Sequence, residues 1–266
     1  MIRNVLSIAG SDPSGGAGIQ ADIKAISANG AYAMAAITAL TVQNTQGVSG
    51  LHLIPPAFVA DQITAVFADI RVDAVKVGMI ANAEIARAVA GVLRLHPDVP
   101  VVLDPVMIAK GGAPLLDAHA IATLRDVVLP LADVLTPNLP EAAHLLGLPC
   151  ATTRDAMITQ GRALCALGPN AVLMKGGHLD ATDSPDVLVT KRGEHWFNAP
   201  RTATRNTHGT GCTLSAALAA QIAQGLSVPD AVGVAKTYVA MAIAHAEKLT
   251  VGTGHGPTHH FANLYR

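Results

Sequence analysis

In the stretch NTHGTGCTLSAALAA, residues 206–220, two glycines and a thiol stand where an apolar helix begins. A glycine-rich turn that opens a helix aims backbone N–H groups outward at the positive end of the helix dipole, an arrangement suited to an anion. Gly209, Thr210 and Gly211 are therefore candidate anion-hole donors. Cys212 follows them, and a helix N-terminus lowers a thiol pKa. It is a candidate acceptor for the proton of a substrate hydroxyl while the amides stabilise a phosphoryl group in transfer. Free cysteines also serve as small buried packing residues, and this segment by itself leaves both roles open.

Lys175 ends an apolar run in LMKGGH and precedes two glycines. A buried ammonium needs a partner, and a phosphate is a natural one. Asp104 in DPVM (104–107) and Glu141 in TPNLPEA (136–142) are carboxylates of the kind a hydrated Mg2+ favours. Asn138 and Glu141 also stand three apart with Pro140 in the first turn, which reads equally as a helix cap. Gln43 in TVQNTQG (41–47) carries a donor and an acceptor able to read the edge of a heterocycle, or to cap a loop. Met79 and the Val106–Met107 pair are placed to sandwich a flat ring, although methionine is more often packing.

Residues 16–21, GAGIQA, match a formal G-x-G-x-x-A after a strand. A dinucleotide fold also wants an acid about 20 residues further on. TVQNT has none, and Asp22 comes too early. The preferred reading is a loop whose glycines let backbone approach a ligand, with a plain turn and helix cap as the alternative.

These residues need elements to hold them. Short apolar runs at 5–9, 35–42, 74–79, 101–104, 133–136 and 171–177 alternate with stretches of helical period at 17–29, 56–70, 83–95, 118–128, 140–147, 153–167, 209–224 and 228–247. Such alternation predicts βαβ units and an α/β fold around a buried, mostly parallel sheet. Two strand-like runs around KRG in 186–199 predict a hairpin at its edge. No linker or repeat divides the chain, so 1–266 reads as one domain. Ligands bind beyond the carboxyl ends of parallel strands. Asp12, Gln43, Asn44, Met79, Asp104, Asn138, Glu141, Lys175 and His178 are accordingly expected along one rim.

Composition narrows the function classes. A net charge of −1, no basic run and 3% aromatic residues argue against a nucleic-acid groove. Three cysteines, at 150, 165 and 212, without a CxxC pair, point to a reducing cytoplasm. Neither a secretory leader nor a membrane span is expected. The chain has no Walker loop, HExxH or GxSxG, so a nucleotide phosphate would be held by other means. His255, His259 and His260 in the tail have a spacing open to metal, but a docked tail is the preferred reading.

Taken together, GSDPSGGAGIQAD, QNT, VGM, DPVM, TPNLPEA, LMKGGH, NTHGTGCTLSAA and GHGPTHHF resemble, in order and spacing, the bifunctional hydroxymethylpyrimidine/phosphomethylpyrimidine kinases of thiamine biosynthesis. The resemblance implies a ribokinase-like three-layer αβα fold, a homodimer, ATP as co-substrate and Mg2+. It further implies two successive phosphorylations of 4-amino-5-hydroxymethyl-2-methylpyrimidine. By the same resemblance Gln43 would recognise the pyrimidine, aided by Asp22 and the Gly10 backbone, with Met79 and Val106 on the ring. Cys212 would be the base, where many related sugar kinases carry Asp, and Gly209 to Gly211 the anion hole. Lys175 and Asn138 would meet ATP, Asp104 and Glu141 would organise Mg2+, and residues 108–116 would form a mobile flap with Gly111-Gly112 in place of the commoner Ser-Gly. The alternatives are a pyridoxine/pyridoxal kinase, a non-catalytic pyrimidine-binding protein and, more remotely, an NAD-dependent oxidoreductase.

Overall fold

The computed structural model describes residues 1–107, 116, 118–179 and 183–265. The expected flap segment, Leu116 apart, lies outside the described residues. Eight strands form one sheet: β1 (Asn4–Ala9), β2 (Tyr32–Ile37), β5 (Ala74–Val77), β6 (Val101–Leu103), β7 (Val134–Leu135), β8 (Ala171–Lys175), β9 (Asp186–Thr190) and β10 (Gly193–Phe197). Their order is β10-β9-β8-β7-β6-β5-β1-β2. All pairings are parallel except β8 with β9 and β9 with β10. The predicted edge hairpin is thus β9–β10.

The central strands are almost wholly apolar because both of their faces are covered. In β8, Val172 and Met174 enter the core on one side of the sheet and Ala171 and Leu173 the core on the other. The first side is covered by α2 (Pro56–Asp69), α3 (Ala83–Leu93), α4 (Ala118–Thr123), α5 (Leu139–Leu146) and α6 (Arg154–Cys165). The second is covered by α1 (Gly18–Ala28), α7 (Thr210–Ala223) and α8 (Val228–Ala244). The expected αβα sandwich is the one observed. In α7, Ala216, Ala217, Ala219 and Ala220 are all fully buried. Small side chains let this helix approach the sheet closely.

One strand differs from expectation. The run 35–42 breaks at Thr38, whose N–H still bonds to the Ala9 carbonyl at 3.0 Å while its hydroxyl donates to the Met79 carbonyl at 2.6 Å. Beyond it the chain leaves the sheet as β3 (Ala39–Asn44), which pairs antiparallel with β4 (Gly47–Leu53). Leu40 and Val42 are exposed there, so an apolar run is not by itself a buried sheet strand. Gln43 consequently sits on this separate ribbon, just after a register shift, and not at the end of a central strand. The helix expected over 118–128 is α-helical only to Thr123, continuing as a π turn to Val128 and a 3-10 turn over Leu129–Leu131. The other helix ends move by a few residues, and the last ends at Ala244 with a 3-10 turn over Ala246–Lys248.

The tail is docked, as expected. His208 and Pro257 form a bridge, and the Ala242 carbonyl accepts from the His259 N–H at 2.9 Å. The Tyr238 hydroxyl donates to the His260 carbonyl at 2.8 Å. Among the described residues no cluster of three or more His, Cys, Asp or Glu side chains is placed to hold a metal ion. None of the described helices is long and apolar enough to cross a membrane.

Candidate active site

The site begins at the first turn of α7. Gly209 precedes it with φ +75°, and a Cβ there would stand 1.7 Å from the Gly16 carbonyl oxygen. Only glycine lets this turn lie against the loop after β1. Thr210 turns inward, its N–H and hydroxyl both reaching the Thr207 carbonyl at 3.3 and 2.8 Å. The amides of Gly211 and Cys212 have no acceptor among the described residues, whereas the Thr213 N–H is bonded to the Gly209 carbonyl. The Gly209 N–H likewise has no acceptor among the described residues, so two of the three expected positions, Gly209 and Gly211, keep an available amide and Cys212 adds another, while that of Thr210 is engaged.

A Cβ on Gly211 would lie 3.2 Å from Lys175 Nζ and 3.4 Å from Asp104 Oδ2. The helix start thus faces the rim of the sheet. Lys175, ending β8, donates to Asp104 Oδ1 at 3.0 Å. Burial works against the lysine charge, yet the Asp104 and Glu141 carboxylates hold its pKa above the ordinary value. The phosphate expected as its partner is thus preceded by a carboxylate. Asp104 in turn stays below its usual pKa, because Lys175 and Lys76 outweigh its burial.

Glu141 and Asn138 form a complete capping box at the start of α5: Asn138 Oδ1 accepts from the Glu141 N–H and Glu141 Oε2 from the Asn138 N–H, each at 2.8 Å. The cap reading of this motif is therefore correct. It does not remove Glu141 from the site, since burial and the neighbouring Asp104 charge push its carboxyl up to about 7 against the pull of Lys175. Asn138 spends its side chain on the cap, and its backbone bridges to Lys175.

Cys212 is partly exposed. The expected fall in its pKa is not observed: burial, with Asp22 and Asp104 adding to it, pushes the thiol up to about 11 against the pull of Lys76. Desolvation of the thiolate is the largest cause. Asp22 lies beneath, fully buried, its oxygens accepting from Lys76 Nζ at 2.9 and 2.8 Å and from the Ser7 hydroxyl at 2.6 Å.

The residues expected to bind a ring converge around the end of β1. A Cβ on Gly10 would stand 2.1 Å from Met79 Cε, so the methionine lies directly on bare backbone. Val106 is partly exposed, whereas Met107 is buried in the core; of that pair only Val106 is available to a ligand. Gln43 approaches from the ribbon, its Nε2 at 3.3 Å from His208 Nε2. Of the residues expected along one rim, Asp104, Asn138, Glu141 and Lys175 come together, Met79 lies at Gly10, and Gln43 and the exposed Asn44 stand on the ribbon outside the sheet.

Sequence reasoning gave no role to Lys76 or His208. Lys76 could have been found, for a lone lysine inside AVKV interrupts an otherwise apolar central strand. His208 left only a weaker signal, its place next to the glycines of HGTGC.

Known proteins share this arrangement of elements. The family described as phosphomethylpyrimidine kinase matches residues 12–259. The hydroxymethylpyrimidine/phosphomethylpyrimidine kinase of Escherichia coli (strain K12) is 55% identical over 258 residues, 97% of each chain. Among solved structures, phosphomethylpyrimidine kinase from Clostridium difficile 630 superposes with a TM-score of 0.81 at 41% identity, over 91% of this chain and 99% of that one. An ADP complex of Bacillus subtilis pyridoxal kinase gives 0.90 at 34%, over 99% of both. On a match that runs through nearly every element of the sandwich, the chain belongs to the phosphomethylpyrimidine kinase family, whose members are phosphotransferases.

Proposed function

We infer that this chain, acting as one domain, transfers the γ-phosphoryl group of ATP to the alcohol of 4-amino-5-hydroxymethyl-2-methylpyrimidine and then to the resulting monophosphate, as a step of thiamine biosynthesis in the cytoplasm. The observation that carries this reading is the cradle where Gly211 faces Lys175 and Asp104 beside the Cys212 thiol. Phosphoryl transfer needs alignment and charge neutralisation more than covalent chemistry. The amides of Gly211 and Cys212 accommodate the phosphoryl oxygens, and Lys175 neutralises charge on the nucleotide phosphates. Gln43 holds the pyrimidine edge while Met79 and Val106 cover its faces; Gly10 brings backbone to the ring, and Asp22 supports the floor through Lys76.

Cys212 receives the proton of the attacking hydroxyl. With a pKa near 11, it holds only a small thiolate fraction at neutral pH, and the buried Lys76 ammonium favours that fraction. A divalent cation fits the donor set. Glu141 uses Oε2 in the cap, and its pKa is raised first by burial and further by the Asp104 carboxylate, whose charge a cation would offset. With no cluster of three acidic or histidine ligands among the described residues, Mg2+ would keep most of its waters, held by Glu141 and Asp104, as is usual for this ion. When bound, it would neutralise phosphate charge.

A second copy of the chain is the partner we infer. Leu40, Val42, Leu51 and Leu53 of the β3–β4 ribbon and Phe58 at the start of α2 are exposed, an apolar surface of the kind that a subunit covers. Sedimentation of the wild type against Val42→Glu checks this: a dimer for the first and a monomer for the second.

The substrate reading is tested by an ADP-release assay on hydroxymethylpyrimidine, its monophosphate and pyridoxal. Turnover on both pyrimidines in preference to pyridoxal is expected. The pyridoxal kinase reading draws on the superposition with the Bacillus subtilis enzyme, and a wide preference for pyridoxal would establish it instead. Calorimetric binding without ADP release would point to a non-catalytic pyrimidine-binding protein.

A further inference from the structure

Asp12, just beyond β1, is almost wholly buried, and its carboxylate is surrounded by donors. Oδ1 accepts from the Ser14 N–H at 2.9 Å and the Ser14 hydroxyl at 2.7 Å; Oδ2 accepts from the Ala17 N–H at 2.8 Å. His208 Nε2 lies 2.7 Å from the same Oδ2. An ionised carboxylate can only accept, so the His208 Nε2 bears a proton and donates it in a hydrogen bond to Asp12 Oδ2. The low pKa of Asp12 agrees: burial opposes its charge, but the bonds from His208 and Ser14 prevail.

The consequence falls on Gln43. Its Nε2 is 3.3 Å from His208 Nε2, and its Oε1 is 3.2 Å from Thr41 Oγ1. In that orientation two N–H donors meet at His208. The Thr41 hydroxyl, already donating to the Ser11 carbonyl at 2.9 Å, would have to serve two acceptors with one proton. Half a turn of the carboxamide, which exchanges two nearly isosteric ends, removes the meeting of two donors at His208 and leaves the Thr41 hydroxyl proton to the Ser11 carbonyl alone. The Gln43 oxygen then accepts the longer branch, at 3.3 Å, of a three-centre bond from the His208 Nε2–H, whose shorter branch of 2.7 Å goes to Asp12, and the Gln43 amino group donates to a lone pair of Thr41 Oγ1.

We propose that His208, held by Asp12, is a positioning and specificity-determining residue that fixes Gln43 with its carbonyl towards the imidazole and its amino group towards Thr41. The sense of the donor–acceptor pair offered to a heterocycle is then set before it binds. A ring nitrogen beside an exocyclic amino group is complementary to one amide in a single sense, so the dyad selects an aminopyrimidine edge and disfavours a ring without that amino donor. This rests on the reading that Gln43 meets the pyrimidine, and the tests keep the two apart.

The first test is nitrogen NMR of the histidine side chains in the ligand-free protein, with His208→Gln to assign the resonance. A proton on His208 Nε2 is expected, and an unprotonated Nε2 overturns the proposal whatever the substrate. The second compares KM for the aminopyrimidine alcohol with KM for its analogue lacking the amino group. His208→Leu is expected to shrink that ratio about tenfold, the order of one lost hydrogen bond. His208→Gln, which can still donate to Asp12, should keep most of the discrimination. An unchanged ratio in a folded His208→Leu protein overturns the proposal. If Gln43→Ala leaves KM for the pyrimidine unmoved, the pyrimidine role of Gln43 fails and the specificity role of His208 falls with it, while the NMR result stands on its own.

Discussion

Lys76 Nζ lies 2.9 and 2.8 Å from the two oxygens of Asp22, and neither side chain is exposed. Burial opposes the lysine charge, yet Asp22 and the nearby Cys212 and Asp104 hold its pKa well above the ordinary value. Removing one partner of such a pair leaves the other charged and desolvated, which typically costs about 3–5 kcal/mol. Lys76→Met should lose stability of that order in urea unfolding. Lys76→Met with Asp22→Leu should regain much of it, and a single variant as stable as the wild type would contradict the account.

Cys212 is expected to be slow to alkylate at pH 7, whereas exposed Cys150 reacts readily; mass spectrometry after iodoacetamide treatment distinguishes them. With the thiol near 11, kcat/KM should still be rising with pH above 8. Cys212→Ala should lower kcat about 100-fold or more with little change in KM for ATP. Cys212→Asp should flatten the pH profile, and the same rise in that variant would assign it to another group.

Glu141 makes stability depend on pH in a defined direction. Its carboxyl is raised from 4.5 to about 7 in the folded protein, so between those values the native state binds more protons than the unfolded one. Stability from this group is full below pH 4.5 and falls as pH rises through about 7, by at most on the order of 3 kcal/mol. Glu141→Gln, which can keep the cap, should abolish this part of the slope in denaturant titrations. Saturating Mg2+ should reduce it in the wild type, whereas an identical slope with and without the ion would remove Glu141 from cation binding.

Two glycines of one turn should respond differently to alanine. At Gly209 the positive φ and a Cβ 1.7 Å from the Gly16 carbonyl predict loss of folding stability. At Gly211 the added methyl would meet Lys175 Nζ at 3.2 Å and Asp104 Oδ2 at 3.4 Å, which are side-chain ends able to yield. Gly211→Ala should therefore melt close to the wild type but lose about 100-fold in turnover, as for a damaged oxyanion hole. Equal melting losses in both variants would count against the distinction.

The sheet and its helices were legible because strand burial leaves a plain mark on sequence: VVL and AVLM can hardly be anything but covered strands. The break at Thr38 was not, since it depends on a bond to the Met79 carbonyl 41 residues away. Among the site residues, Lys175, Asp104, Cys212 and Glu141 were found from residue type at strand and helix ends. Their charge states were not, because Cys212 near 11 and Glu141 near 7 are set by desolvation and by neighbours distant in the chain. Lys76 and His208 escaped notice for a related reason. What they do is decided by Asp22 and Asp12, which lie 54 and 196 positions away.

The docked tail has a consequence for synthesis. The His208 N–H is satisfied by the Gly256 carbonyl at 3.0 Å, and His260 Nε2 lies 3.1 Å from the Thr213 hydroxyl. The turn at the start of α7 therefore borrows its supports from residues the ribosome adds after the whole sheet has been encoded. Translation proceeds from the N-terminus at about 5–20 residues per second. The sandwich can begin to assemble on a nascent chain before these supports exist, so catalytic competence should wait until residues 256–260 have left the ribosome.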